Sequence, residues 1–160
     1  MSSKTFATND VLTAADVNLM NLDPQAVTVA TDETTTSTSY VNLATVGPTV
    51  VVNLNAGQKV QIEVSCWGLN AGHNDQVDTA YMSFAVSGAS TLAANDANGV
   101  RLTTCKLAPL NNIATSTVSQ STIFTATGTG AHTFQAKYKT LDAAITWHFI
   151  DRRLVVNPKF

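Results

Sequence analysis

Between positions 132 and 139, Phe134, Ala136 and Tyr138 alternate with Thr133, Gln135, Lys137 and Lys139. A period of two places the first set on one face of a strand and the second on the other, which predicts a strand with one buried face. Ile145, Trp147 and Phe149 repeat the pattern against Thr146 and His148. Large rings bury the most apolar surface per residue, so in an aromatic-poor chain these two runs predict the centre of the core. Asp151-Arg152-Arg153 interrupts the second run, and positions 154–156 resume it before Asn157-Pro158 stops it.

The same alternation recurs upstream. Val50, Val52 and Leu54 form one set, and Ala80, Met82, Phe84 and Val86 form another. Val60, Ile62, Val64 and Cys66 point inward if Lys59, Gln61, Glu63 and Ser65 point out. Further strands are predicted at 26–31, 40–46, 100–104 and 115–127. Turns fall at Gly47-Pro48, at Asn55-Ala56-Gly57 and at 95–99, with a hairpin at Gly128 and Gly130. About eight strands at regular spacing predict an all-β, antiparallel sandwich of jelly-roll type. Ahead of them, residues 1–12 read as an extended arm. Thr13-Ala14-Ala15-Asp16 resembles a capping box, so a short helix is expected over 14–20, with Val17 and Met20 on one stripe and Asp23-Pro24 as its stop. The expected division is an anchoring arm and helix over 1–25, then a sandwich over 26–160.

Composition narrows the function. Charged residues make up only 12% of the chain, the net charge is −2 and the pI is near 5.8. With no basic patch, nucleic acid is not an expected partner. No apolar run reaches the roughly 18 residues that span a membrane, and positions 1–10 lack the apolar core of a signal peptide. Synthesis in a cytoplasm and no membrane association are the expectations. Cys66 and Cys105 have no metal-ligand spacing. Cys66 reads as a buried thiol, with a disulfide open if Cys105 falls opposite it.

Candidate chemistry is sparse. His73, Asp75 and Asp78 share a polar stretch, but the Gly and terminal Glu of a calcium loop are missing and one histidine does not make a zinc site. His132 and His148 are expected to share a sheet face, without a nucleophile or carboxylate beside them. No nucleophile elbow, phosphate loop or carboxylate pair occurs. The chain is therefore read as non-enzymatic, with no cofactor and no metal. Arg152-Arg153 can grip an acidic group bidentately or serve the fold by pairing with Asp151 or capping a subunit contact.

Two segments carry a resemblance. Lys-Thr-Phe-Ala-Thr-Asn-Asp-Val-Leu-Thr-Ala-Ala-Asp-Val-Asn at 4–18 resembles the opening of small structural proteins of tailed bacteriophages. Gly-Ala-His-Thr-Phe-Gln-Ala-Lys-Tyr at 130–138, with Ile-Asp-Arg-Arg-Leu-Val-Val-Asn-Pro at 150–158, is similar to the closing strands of phage β-sandwich domains. The resemblance implies a virion protein with a jelly roll like the tumour-necrosis-factor class, which commonly forms trimers. A homotrimeric capsid decoration protein bound to the major capsid protein is the first expectation. A minor tail or fibre protein touching the host surface is the second. Partner contacts are expected from Phe6, Val11, Leu12, Val17 and Met20 of the arm, and from Arg152 and Arg153.

Overall fold

The computed structural model describes residues 24–70, 77–105 and 115–159. The strands are β1 (Gln25–Val29), β2 (Glu33–Thr35), β3 (Thr49–Leu54), β4 (Lys59–Asn70), β5 (Val77–Gly88), β6 (Val100–Cys105), β7 (Thr115–Thr125), β8 (Gly130–Thr140) and β9 (Trp147–Lys159). One 3₁₀ turn, Asp96–Asn98, precedes β6. The expected arm and helix of residues 1–22 lie outside the described residues.

The strands form two antiparallel sheets, β1-β9-β4-β7 with β2 also on β9, and β3-β8-β5-β6. Nested pairing explains this order: β2 meets β9, β3 meets β8, β4 meets β7 and β5 meets β6. A long antiparallel hairpin wrapped around itself gives this jelly-roll connectivity, and the added pairings β4·β9 and β5·β8 close each sheet. Because β1 and β2 lie end to end along β9, they act as one interrupted strand.

The inward-facing sets are those the alternation predicted. Val60, Ile62, Val64 and Cys66 from β4 meet Met82, Phe84 and Val86 from β5 across the core. Phe134 packs edge-on against Phe124 at 5.5 Å, and the Tyr138 and Phe149 rings join the two sheets at 5.0 Å. Each such pair adds about 0.5–1.5 kcal/mol beyond its buried area.

Three local expectations need correcting. Residues 40–46 form no strand; Val41 makes a single bridge to Tyr138, and the rest of the stretch crosses between sheets. Positions 126–129 are not a hairpin, because β7 and β8 belong to opposite sheets. Gly128 serves that crossover by closeness instead, since a Cβ there would run into the carbonyl of Ala89. Finally, the strand expected over 26–31 breaks after Val29, and the chain re-enters the sheet at Glu33, where no strand was expected.

The cause of that break is a bulge in β9. Ser65 pairs with Arg153 but Trp67 pairs with Ile150, so Asp151 and Arg152 together oppose the single residue Cys66. Asp151 adopts φ +48°, the left-handed conformation that Asp tolerates better than most residues. The extra residue shifts the phase: Trp147 and Phe149 face inward before it, and Arg152, Leu154 and Val156 after it. On the other side of β9, the gap between β1 and β2 lies opposite Ile150 and Asp151.

Replacing the fully buried Phe134 by Ala is expected to lower stability in urea unfolding by about 3–5 kcal/mol. Val51→Ala, on an exposed edge position, should change it by less than about 0.5 kcal/mol.

Candidate functional site: a buried arginine and the sheet surfaces

The bulge sends the Arg152 side chain into the sandwich, where it is fully buried. Its Nη1 lies 3.1 Å from Glu33 Oε2, and its Nη2 donates to the Thr31 carbonyl at 3.3 Å. The guanidinium carbon stands 5.5 Å from the centre of the Tyr138 ring, a cation–π contact in a dry site. Tyr138 in turn donates its hydroxyl to the Gly47 carbonyl at 2.9 Å. Nε and Nη1 find no aligned hydrogen-bond acceptor among the described residues, so the contact with Glu33 is close but not well directed.

The carboxylate is well held at its other oxygen. Glu33 Oε1 accepts the Thr45 N–H at 2.8 Å. Loss of water around Glu33 pushes its pKa up, but the Thr45 hydrogen bonds and the Arg152 charge outweigh this, and the carboxyl sits below its ordinary 4.5. Burial drives the Tyr138 phenol well above its usual range, with the Arg152 charge pulling weakly the other way. Burial likewise raises the Cys66 thiol to about 12. Cys66 carries no disulfide.

Arg153, one residue on, points out of the sandwich. Its Nη1 is 4.0 Å from Glu63 Oε1, and both side chains are close to half exposed. The chain's two glutamates thus face its two adjacent arginines, one pair buried and one at the surface. Arg152 pairs with Glu33 rather than Asp151. Of the expected partner contacts, only Arg153 presents its charge to solvent; Phe6, Val11, Leu12, Val17 and Met20 lie outside the described residues.

The two histidines are on opposite sheets, not one face. His148 lies on the outside of β9, 3.0 Å from Asp32. His132 is fully buried on β8. Its Nδ1 faces the Gly130 carbonyl at 2.9 Å and must donate there, so Nε2 accepts the Ser90 hydroxyl at 2.7 Å. Ser90 Oγ also accepts from Thr127 N–H at 2.9 Å and Gly128 N–H at 3.2 Å. With its lone pairs occupied and its proton committed, this serine fastens the segment after β5 to the β7–β8 crossover. Sequence spacing could not show it, because the partners are 42 positions apart.

A second cluster escaped the sequence for the same reason. On the outside of β5 and β8, Tyr81 lies directly across from Lys139. Lys139 Nζ is 2.7 Å from Asp96 Oδ1 and within about 5 Å of the centres of the Tyr40 and Tyr81 rings. Tyr40 donates its hydroxyl to the same Asp96 oxygen at 3.0 Å. The Lys139 ammonium holds the Asp96 carboxyl below its ordinary range. Burial, then Asp96, push the Tyr40 phenol up.

A shallow pocket of about 160 Å³ at one end of the sandwich is lined by Val77, Asp78, Thr79, Thr140, Leu141, Asp142 and Ile145. Of the expected metal-loop residues, Asp78 is buried at the start of β5, and His73 and Asp75 lie outside the described residues. Among the described residues, no three metal-capable side chains converge.

Arg152→Ala leaves Glu33 without its cation in a site where its side chain is only 11% exposed, and should cost about 3–5 kcal/mol in denaturant unfolding. Combining Arg152→Met with Glu33→Gln should cost clearly less than the sum of the two single changes, since the double variant strands neither charge. The pH dependence follows from the lowered Glu33 pKa. Its stabilisation is complete above the ordinary value of 4.5 and is lost as pH falls through the lower folded-state value. A pH series of melting curves should therefore show a shallower loss below pH 4.5 for Glu33→Gln than for the parent. In a Cys105→Ser background, Cys66 should resist thiol reagents at pH 8 until the protein unfolds, since its thiol titrates near 12. No protein-family model matches this chain, and no curated protein matches it significantly.

Proposed function

We propose that this chain is a non-enzymatic structural protein of a bacteriophage virion. In this reading it is a trimeric capsid decoration protein that clamps the major capsid protein through residues 1–22. The observation that carries the reading is the phrase at 4–18, which resembles the openings of phage structural proteins and leads directly into β1 at the margin of a jelly roll. A sandwich closed by nested pairing is a rigid body from which an arm can reach a neighbour. Extended arms bind by adding backbone hydrogen bonds along a foreign sheet edge and by seating apolar side chains in pockets. Phe6, Val11, Leu12, Val17 and Met20 supply such side chains.

The surface chemistry supports the same reading. The polar clusters at Arg152, Ser90 and Lys139 are spent on partners within the chain. Few charges remain to repel a neighbouring subunit, given the overall net charge of −2. Arg153, close to half exposed beside Glu63, is the residue of the arginine pair that an acidic group on a partner can reach.

Deletion of residues 1–20 should abolish binding to capsid shells in a co-sedimentation assay while the sandwich keeps its strand signature in circular dichroism. Retained binding would remove the arm from the proposal. Immunogold labelling of purified virions should place gold over the head; gold confined to the tail would favour a minor tail protein instead.

A further inference from the structure

Of the four strands at the margins of the two sheets, β7 differs from the rest. The margin opposite it in its own sheet is broken into the five residues of β1 and the three of β2. In the other sheet, β3 and β6 have six residues each, and β6 carries Arg101. β7 has eleven residues, Thr-Ser-Thr-Val-Ser-Gln-Ser-Thr-Ile-Phe-Thr, with no charge, no proline and no glycine. Its register with β4 runs unbroken from Thr115 to Thr125, so no bulge turns it aside. Among the described residues it pairs with β4 alone. Thr117, Ser119, Ser121, Ile123 and Thr125 are all exposed, Ile123 at 56%.

Proteins ordinarily guard such an edge with charge, proline, a bulge or brevity, because its unpaired N–H and C=O groups are a template for another strand. β7 has none of these guards. Its sequence is partly symmetric about Gln120, with identical residues at 119 and 121 and at 115 and 125. An antiparallel copy centred there would set Ser119 against Ser121 and Thr117 against Ile123 on the outer face. On the other face it would set Val118 against Thr122, and it would bring together the two Gln120 side chains, each donating to Ala97 O of its own chain at 3.2 Å. This register pairs all eleven residues and opposes no like charges. Small hydroxyl and β-branched side chains opposite one another are favourable cross-strand pairs.

We infer that β7 is a self-association edge, at which two copies of this chain pair antiparallel about a two-fold axis at Gln120. The two β1-β9-β4-β7 sheets then join into one sheet running through both molecules. The occupant is a second copy because the uncharged strand opposes no like charges when paired with itself and repeats the same residues on either side of Gln120. This contact is independent of the arm and of the proposed trimer, and it links sandwiches wherever they are held.

The register supplies its own test. In the full-length protein, Ser119→Lys with Ser121→Lys brings lysines face to face across the axis. Ser119→Lys with Ser121→Glu brings each lysine against a glutamate of the other copy. Both positions are exposed serines, so neither variant should alter the circular dichroism spectrum or shift the melting temperature by more than a few degrees. Molar mass is then measured by light scattering across a dilution series. The parent and the Lys/Glu variant should show an even multiple of a smaller unit. The Lys/Lys variant should fall to half that mass, or need at least tenfold higher concentration to reach it. An unchanged mass for Lys/Lys, or failure of Lys/Glu to keep the parent mass, overturns the proposal. So does a parent mass that is no even multiple at any concentration. Loss of the arm leaves this result untouched, which separates it from the capsid reading.

Discussion

A guanidinium can be kept inside a β-sandwich only where a counter-charge is brought to it, and much of the architecture here is shaped by that demand. The bulge at Asp151 turns Arg152 inward, the break between β1 and β2 lies opposite the bulge, and the restart at β2 delivers Glu33. Thr45 and Gly47, in the crossing toward β3, then fix Glu33 and Tyr138 from the far side. Elements from both sheets thus converge on one cation. Replacing such a cluster by apolar residues need not cost stability, but removing one member strands a charge without water. Its contribution is to specify register: a one-residue slip of β9 would move Arg152 out and Asp151 in.

The Ser90–His132 contact does for one end of the sandwich what Arg152 does for its middle. A jelly roll must pass its chain from sheet to sheet several times, and each crossing leaves backbone donors without a ladder. Ser90 collects the donors of Thr127 and Gly128, and His132 takes its proton. The distance and the direction of donation resemble those of a nucleophile and its base. The burial of both side chains and the backbone donors already held by Ser90 make it a fastener.

The surfaces divide along similar lines. Most strong polar groups near the surface, such as Lys139 with Asp96 and His148 with Asp32, are matched within the chain. Among the described residues, what is left open is the outer edge of β7, which pairs with β4 alone. The proposed partner contacts rest on that edge and on the apolar side chains of the N-terminal segment.

Much of this fold was readable from period-two alternation, because a side chain's face depends only on its parity along a strand. β3, β4, β5, β8 and β9 were legible for that reason, as was the return of the apolar pattern after Asp151-Arg152-Arg153; the change of phase there came from the bulge. Strand order and sheet membership were not, since pairing partners are chosen by closure of the whole roll and leave no local trace. That is why the run at 126–130 read as a hairpin and turned out to be a crossover. The run containing Glu33 was assigned no strand, because its partner, Arg152, is more than a hundred residues away. The sequence by itself determined which residues face the core. Only the tertiary structure decided which charges share it, because a buried ion pair is set by distance in space and not by spacing along the chain.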